Sequence, residues 1–143
     1  MAVTHSALSA DPAGETRAPA ADALILFAHG ARDPGWRAPV DAMASLLARA
    51  VPEARVSVAF LEFMSPDLPR AIDAAVAAGA SRVAIAPLFW AEGGHLRQEV
   101  PPMLAQACER HPGLRLERWP VMGASPEVLT ALTGVYAGRW RAG

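Results

Sequence analysis

From residue 23 the chain opens on an unbroken apolar run, Ala-Leu-Ile-Leu-Phe-Ala, that ends at His29. A run of that length, free of polar interruptions, predicts a strand buried on both faces over residues 23–29. Val40, Met43, Leu46, Leu47 and Ala50 then recur at helical spacing and predict a first helix reaching residue 50. The same strand-then-helix alternation recurs to the end of the chain. Strands are predicted over 55–62, 82–88 and, more weakly, 114–119. The following helices present Leu68, Ile72, Ala75 and Val76, then Met103, Leu104, Ala107 and Cys108, then Val128, Leu129, Leu132, Val135 and Tyr136.

Local signals punctuate this pattern. Asp33-Pro34, Ser65-Pro66 and Ser125-Pro126 each place a capping side chain before a proline, the residue best tolerated at the start of a helix. Gly79 and His111-Pro112-Gly113 supply helix stops. Alternating strands and helices imply an α/β fold: a doubly wound parallel sheet of about four strands with helices on both faces. The simplest order for four such units places the first strand between the second and the third. Residues 1–21, rich in Ala, Ser, Thr, Pro and Gly, are expected to form a disordered tail ahead of a single domain over 22–143.

Composition narrows the function classes. Thirteen basic and 14 acidic residues give a formal net charge of −1, which offers no electrostatic capture of nucleic acid or of an anionic membrane. No apolar run approaches the ~20 residues of a membrane span, and the N-terminus lacks the pattern of a signal peptide. The single cysteine, Cys108, allows no disulfide within the chain, which suits a reducing, cytoplasmic setting. Inside a predicted helix it reads as a small core residue.

The chemistry gathers at one edge. Ligands of open parallel sheets bind beyond the carboxyl ends of the strands, where the strand order reverses. His29 ends the first strand, Glu62 ends the second and His95 follows the third. Two imidazoles and a carboxylate suit borderline divalent metals such as cobalt, iron, nickel and zinc. Gly30 would let a ligand approach the backbone beside His29, and Gly93-Gly94 would let a loop fold tightly and place His95. Each residue also has a plainer role. A strand-end histidine can satisfy a buried hydrogen bond, and Glu62 can stabilise the start of the next helix. His5 in the tail and His111 at a helix end carry no such pattern. Arg32, Arg37 and Arg97 lie near the same edge and could pair with carboxylates of a polyanion, or be solvated surface charges. Trp36, Phe63, Phe89 and Trp90 flank these loops and could line a pocket for a flat ligand, or belong to a core or an interface.

Three blocks carry a family resemblance: Leu26-Phe-Ala-His29-Gly30-Ala-Arg32-Asp-Pro34, Val58-Ala-Phe-Leu-Glu62-Phe-Met-Ser-Pro66, and Pro87-Leu-Phe-Trp-Ala-Glu-Gly-Gly94-His95-Leu-Arg97-Gln-Glu-Val-Pro101. In order and spacing they resemble the small sirohydrochlorin chelatases, class II enzymes that insert cobalt, or in relatives iron or nickel, into a tetrapyrrole precursor. The resemblance implies His29 and His95 as metal ligands and Glu62 as a third catalytic group. It implies no nucleotide, a polycarboxylate tetrapyrrole substrate that would give Arg32, Arg37 and Arg97 a binding role, and a homodimer in which two half-size domains face one cleft.

The sequence departs from the family pattern at Ala31, where serine is common, at Trp90, where an aliphatic residue is common, and at Glu99, where aspartate is common. The last two fall in the segment expected to aim His95. Two other functions fit parts of the sequence. A carrier that binds metal or tetrapyrrole without inserting one needs the same residues. A histidine phosphotransferase would use His29-Gly30, but that chemistry calls for arginine where Ala28 stands.

Overall fold

The computed structural model describes residues 21–143. The expected tail over 1–21, apart from Ala21, and His5 with it, lie outside the described residues. Four strands, β1 (Ala23–Ala28), β2 (Arg55–Phe60), β3 (Arg82–Pro87) and β4 (Arg115–Arg118), form one sheet in the order β2-β1-β3-β4. Every pairing is parallel, with Ala23 opposite Arg55 and Val83, and Arg82 opposite Arg115. This is the order inferred from the alternation, and it puts β1 and β3 side by side at the reversal point.

Four α-helices cross between and after the strands: α1 (Ala38–Ala50), α2 (Leu68–Ala77), α3 (Gly94–Arg110) and α4 (Pro126–Ala142). Right-handed crossovers from an inner strand to either side carry α1 to one face and α2 and α3 to the other. The core follows that split. Ile25, Phe27, Val83 and Ile85 pack with Ile72 of α2 and Val100 of α3. Ala28 and Phe60 pack with Val40 of α1. Every residue of β1 is buried, as its unbroken apolar run requires. Fully burying each large side chain of this kind contributes ~1.5–3 kcal/mol. At the amino ends of the strands, the Asp22 carboxylate accepts hydrogen bonds from the backbone N–H groups of Ser81 and Arg82, at 3.1 and 3.0 Å. Those bonds, led by the one from Ser81, hold its pKa below the usual carboxylate range.

Several expectations need correction. Asp33 does cap the segment after β1, but the turn it caps is a short 3-10 helix, Pro34–Arg37, and α1 starts only at Ala38. The cap of α2 is Asp67, whose side chain accepts from Arg70 N–H, and not Ser65. Ser125 caps α4 as expected. Cys108 is exposed and does not belong to the core. Met43 and Leu46 on the predicted inner face of α1 are 41% and 58% exposed, and α4 buries none of its residues. The apolar stripe of a helix is thus legible in sequence, while the surface that covers it is not. No helix among the described residues is long and apolar enough to cross a membrane.

Candidate functional site

His29 stands one residue beyond β1, where the chain leaves the sheet. Two further hydrogen bonds extend the ladder past the end of β2: Leu61 N–H donates to Ala28 O at 2.9 Å, and Glu62 N–H donates to His29 O at 3.0 Å. Glu62 is therefore locked beside His29 by backbone geometry, although β2 itself ends at Phe60. Gly30 makes this possible. Its φ is 89°, and a Cβ there would lie 2.0 Å from the Glu62 carbonyl oxygen. The close approach that Gly30 permits is that of the Glu62 backbone, not of a ligand, which revises the sequence reading.

The side chains meet as well. His29 Nε2 lies 3.2 Å from Glu62 Oε1, and His29 Nδ1 lies 2.9 Å from the Gly30 carbonyl. A carbonyl only accepts, so Nδ1 carries the hydrogen. Nε2 and the Glu62 carboxylate oxygen face each other, an arrangement that suits a cation shared between the two. The edge of the Phe89 ring braces the imidazole, with centroids 6.4 Å apart at 75°.

His95 is placed differently from expectation. Gly93 and Gly94 do not fold a tight loop ahead of His95: Gly93 is the N-cap of α3 and Gly94 its first residue. A Cβ on either would meet nothing within 4 Å, so no tight turn demands them. His95 thus sits on the first turn of a helix anchored by buried Leu96 and Val100. Glu99 follows one turn later, with Oε1 3.0 Å from His95 Nε2. Two half-exposed histidine–carboxylate pairs therefore flank the carboxyl edge of the sheet. Surface pairs of this kind add ~0–1 kcal/mol of stability, so folding alone gives little reason for them.

His29, Glu62 and His95 line one open pocket of about 330 Å³, together with Leu61, Phe89 and Gly93. Among the described residues, no three His, Cys, Asp or Glu side chains stand close enough together to hold a metal ion between them. A closed four-ligand site is the mark of a structural metal, whereas a site that must exchange its metal needs open positions.

The remaining residues divide. The Arg32 guanidinium stacks 4.7 Å from the centroid of the Phe63 ring, on the segment after Glu62. Phe63 itself holds a φ of 65°. Arg97 is exposed on the first turn of α3, two residues after His95. Arg37 is committed elsewhere: it grips Asp41 through Nε and a terminal nitrogen at 2.9 and 3.1 Å and lies over the Phe60 ring. Trp36, Phe63 and Trp90 are exposed rather than part of the core.

The segment between β3 and α3 is pinned from β4 and the turn after it. Met122 N–H donates to Phe89 O and Gly123 N–H to Trp90 O, at 2.9 and 2.8 Å. Glu92 pairs with Arg118 of β4. These supports were not read from the sequence, because Glu92 and Arg118 are 26 residues apart and only the β3–β4 pairing brings them together.

The CbiX family model matches residues 23–137. A sirohydrochlorin cobaltochelatase of Methanococcus aeolicus is 32% identical over 91 residues, 63% of this chain and 64% of that protein. Another, from Methanocaldococcus jannaschii, is 29% identical over 90 residues, 63% of each chain. The chain spans just under two thirds of the length of these curated relatives. Among solved structures, a cobalamin (vitamin B12) biosynthesis CbiX protein from Marinobacter aquaeolei aligns with a TM-score of 0.74 and 26% identity, covering 85% of this chain and 98% of that one. The sirohydrochlorin chelatase SirB of Bacillus subtilis in complex with cobalt aligns with a TM-score of 0.69 and 25% identity, covering 78% of this chain and 48% of SirB.

Proposed function

Because the chain belongs to the CbiX family, we propose that it inserts a divalent metal into sirohydrochlorin or a closely related tetrapyrrole, without a nucleotide. Cobalt is the first candidate metal, with Fe2+ and Ni2+ as alternatives, and the metal is a substrate rather than a resident cofactor. The observation that carries this reading is the pocket lined jointly by His29, Glu62 and His95 at the reversal point of the sheet.

In this reading His29 and His95 hold the incoming ion, and the open side of the pocket leaves coordination positions free. Pyrrole nitrogens replace the imidazoles one by one, so the ion is handed over rather than released. Two pyrrole protons must leave as the metal enters. Glu62, held against His29, takes or relays one, and a histidine freed from the metal takes the other. Arg97 beside His95 and Arg32 on its Phe63 platform pair with peripheral carboxylates of the macrocycle. Arg37, engaged by Asp41, supports the fold of that edge more than it meets a ligand.

One such domain supplies one wall of a cleft, and the protein is proposed to act as a homodimer. Two features support this. SirB is about twice the length that this chain aligns to, and α4 leaves Leu129, Val135, Tyr136 and Trp140 between 41% and 87% exposed. A cytoplasmic location suits the lone cysteine and a tetrapyrrole substrate.

The test is anaerobic incubation of purified protein with sirohydrochlorin and Co2+, Fe2+ or Ni2+, followed by absorbance. A rate well above the metal-only control supports insertion. Tight binding of metal or macrocycle with no such rate would make the protein a carrier instead.

A further inference from the structure

Helix α4 has no charged side to turn to water. From Val128 to Gly138 it carries no charged residue; Glu127 stands in its first turn, Arg139 and Arg141 in its last. Leu129, Leu132, Tyr136 and Trp140 follow helical spacing along one side, and Ala131, Gly134 and Gly138 lie on the other. A helix that is apolar or small all round belongs in an interior. Yet α4 buries none of its residues, and a Cβ on Gly134 or Gly138 would meet nothing within 4 Å. Among the described residues its one substantial neighbour is the turn Met122–Ala124. At its root an apolar groove of about 450 Å³ lies open at the carboxyl ends of β3 and β4, lined by Ala86, Pro87, Trp119, Pro120 and Val128 together with Glu127. We propose that α4 is an exchanged arm: in the homodimer, the α4 of each copy lies in this groove of the other. The inference rests on the proposed homodimer and not on metal insertion.

Charge and shape select a second copy as the occupant. Only the first turn of α4 lines its own groove, so the rest of the helix leaves that groove open. In a two-fold contact with the helices antiparallel, the root of one α4 meets the tip of the other. Glu127 at the root then faces Arg139 and Arg141 of the other copy, while the charge-free stretch between them covers the apolar groove. The same arrangement brings Tyr136 and Trp140 of one copy to Trp119 of the other. Covered aromatic side chains bury roughly 150–250 Å² each, so these three bring a large part of the ~800 Å² per copy of a stable interface. The groove is also continuous with the candidate site. Trp119 N–H donates to Ile85 O at 2.9 Å, and Met122 N–H holds the carbonyl of Phe89, which lines the pocket of His29 and His95. An arm seated there braces that pocket from the other copy.

Two measurements test the exchange. In the first, two differently tagged copies are co-expressed, both with Cys108→Ser, one carrying Trp119→Cys and the other Tyr136→Cys, and are treated with a short bismaleimide. Both positions are partly exposed, so the fold tolerates the changes. The expected product carries both tags. A single chain bearing both cysteines should likewise link between copies and not within itself. The second measurement needs no cysteine: hydrogen exchange of the wild type at high concentration should be about 10-fold or more slower over residues 128–138 than in Trp140→Glu. Linking within one chain only, or no product with both tags, would overturn the inference. Equal exchange over 128–138 in wild type and Trp140→Glu would do the same, because α4 is then either uncovered or covered by its own chain. A dimer with exchanged arms but no chelatase activity would overturn the proposed function and leave the exchange standing.

Discussion

Gly30 and Glu62 are packed backbone to backbone: a Cβ on Gly30 would sit 2.0 Å from the Glu62 carbonyl oxygen, and Gly30 holds a φ of 89°. Replacing Gly30 with alanine therefore meets two penalties at once, a left-handed backbone and a backbone clash. Gly30→Ala should destabilise the fold by roughly 3 kcal/mol, measured by urea denaturation. Because the clash pushes Glu62 away from His29, Co2+ affinity should fall even under conditions where the variant is fully folded. An unchanged denaturation midpoint would show that this contact does not set the geometry of the edge.

The pairing of Glu92 with Arg118 ties the segment after β3 to β4, and both side chains are mostly buried. Glu92→Ala leaves the guanidinium without its carboxylate and should cost about 1–3 kcal/mol. Hydrogen exchange over residues 88–93 should speed up, while exchange in β1 should change only through the global loss of stability.

Asp73 on α2 accepts from His111 Nε2 at 2.7 Å and from Arg110 at 3.0 Å, joining α2 to the end of α3. The His111 hydrogen bond first, and Arg110 second, hold the Asp73 carboxyl below the usual carboxylate range. A folded pKa below the unfolded one means that the ionised form is favoured by folding. The contribution is present above the unfolded value of ~4 and is lost as pH falls through the lower, folded value. Wild type should thus lose stability below pH ~4 more steeply than Asp73→Asn, in thermal melts across pH 2–7. Parallel curves would exclude Asp73 as an acid-sensitive tie.

Trp140 on α4 is 87% exposed, and Tyr136 one turn earlier is 62% exposed. If α4 forms part of a contact between two copies, Trp140→Glu should shift a dimer to monomer in light scattering at micromolar concentration, with the monomer still folded by circular dichroism. A wild-type monomer under those conditions would remove the two-walled cleft from the account.

The sequence carried the fold because its strongest signals were local. The apolar run of β1 needs a sheet neighbour on each side, and capping residues with prolines mark where the helices begin. What it hid depended on contacts across the chain. His95 reads as a loop residue because the segment around it is rich in glycine and charge. Yet α3 already starts at Gly94, held to the sheet by Leu96, Val100 and Ala107, and carries Pro101 and Pro102 in its interior. Glu99 reads as a departure in that supposed loop, and only the helix places it one turn from His95. The role of Gly30 was legible as a demand for a small residue, but what approaches it is the Glu62 carbonyl. Met43, Leu46 and the apolar side of α4 show the remaining limit: periodicity marks an apolar stripe without saying what covers it.

The central claim is that His29 and His95 together receive a divalent metal in the pocket they share. The most direct measurement is a crystal structure of the protein soaked with Co2+, with anomalous scattering to locate the ion. The account predicts one cobalt site with a nitrogen of His29 and a nitrogen of His95 each at about 2.0–2.2 Å, close to the distances of imidazole bound to comparable divalent ions, and no site there in His29→Ala or His95→Ala. Cobalt bound away from both histidines, or held equally well after either is removed, would contradict it.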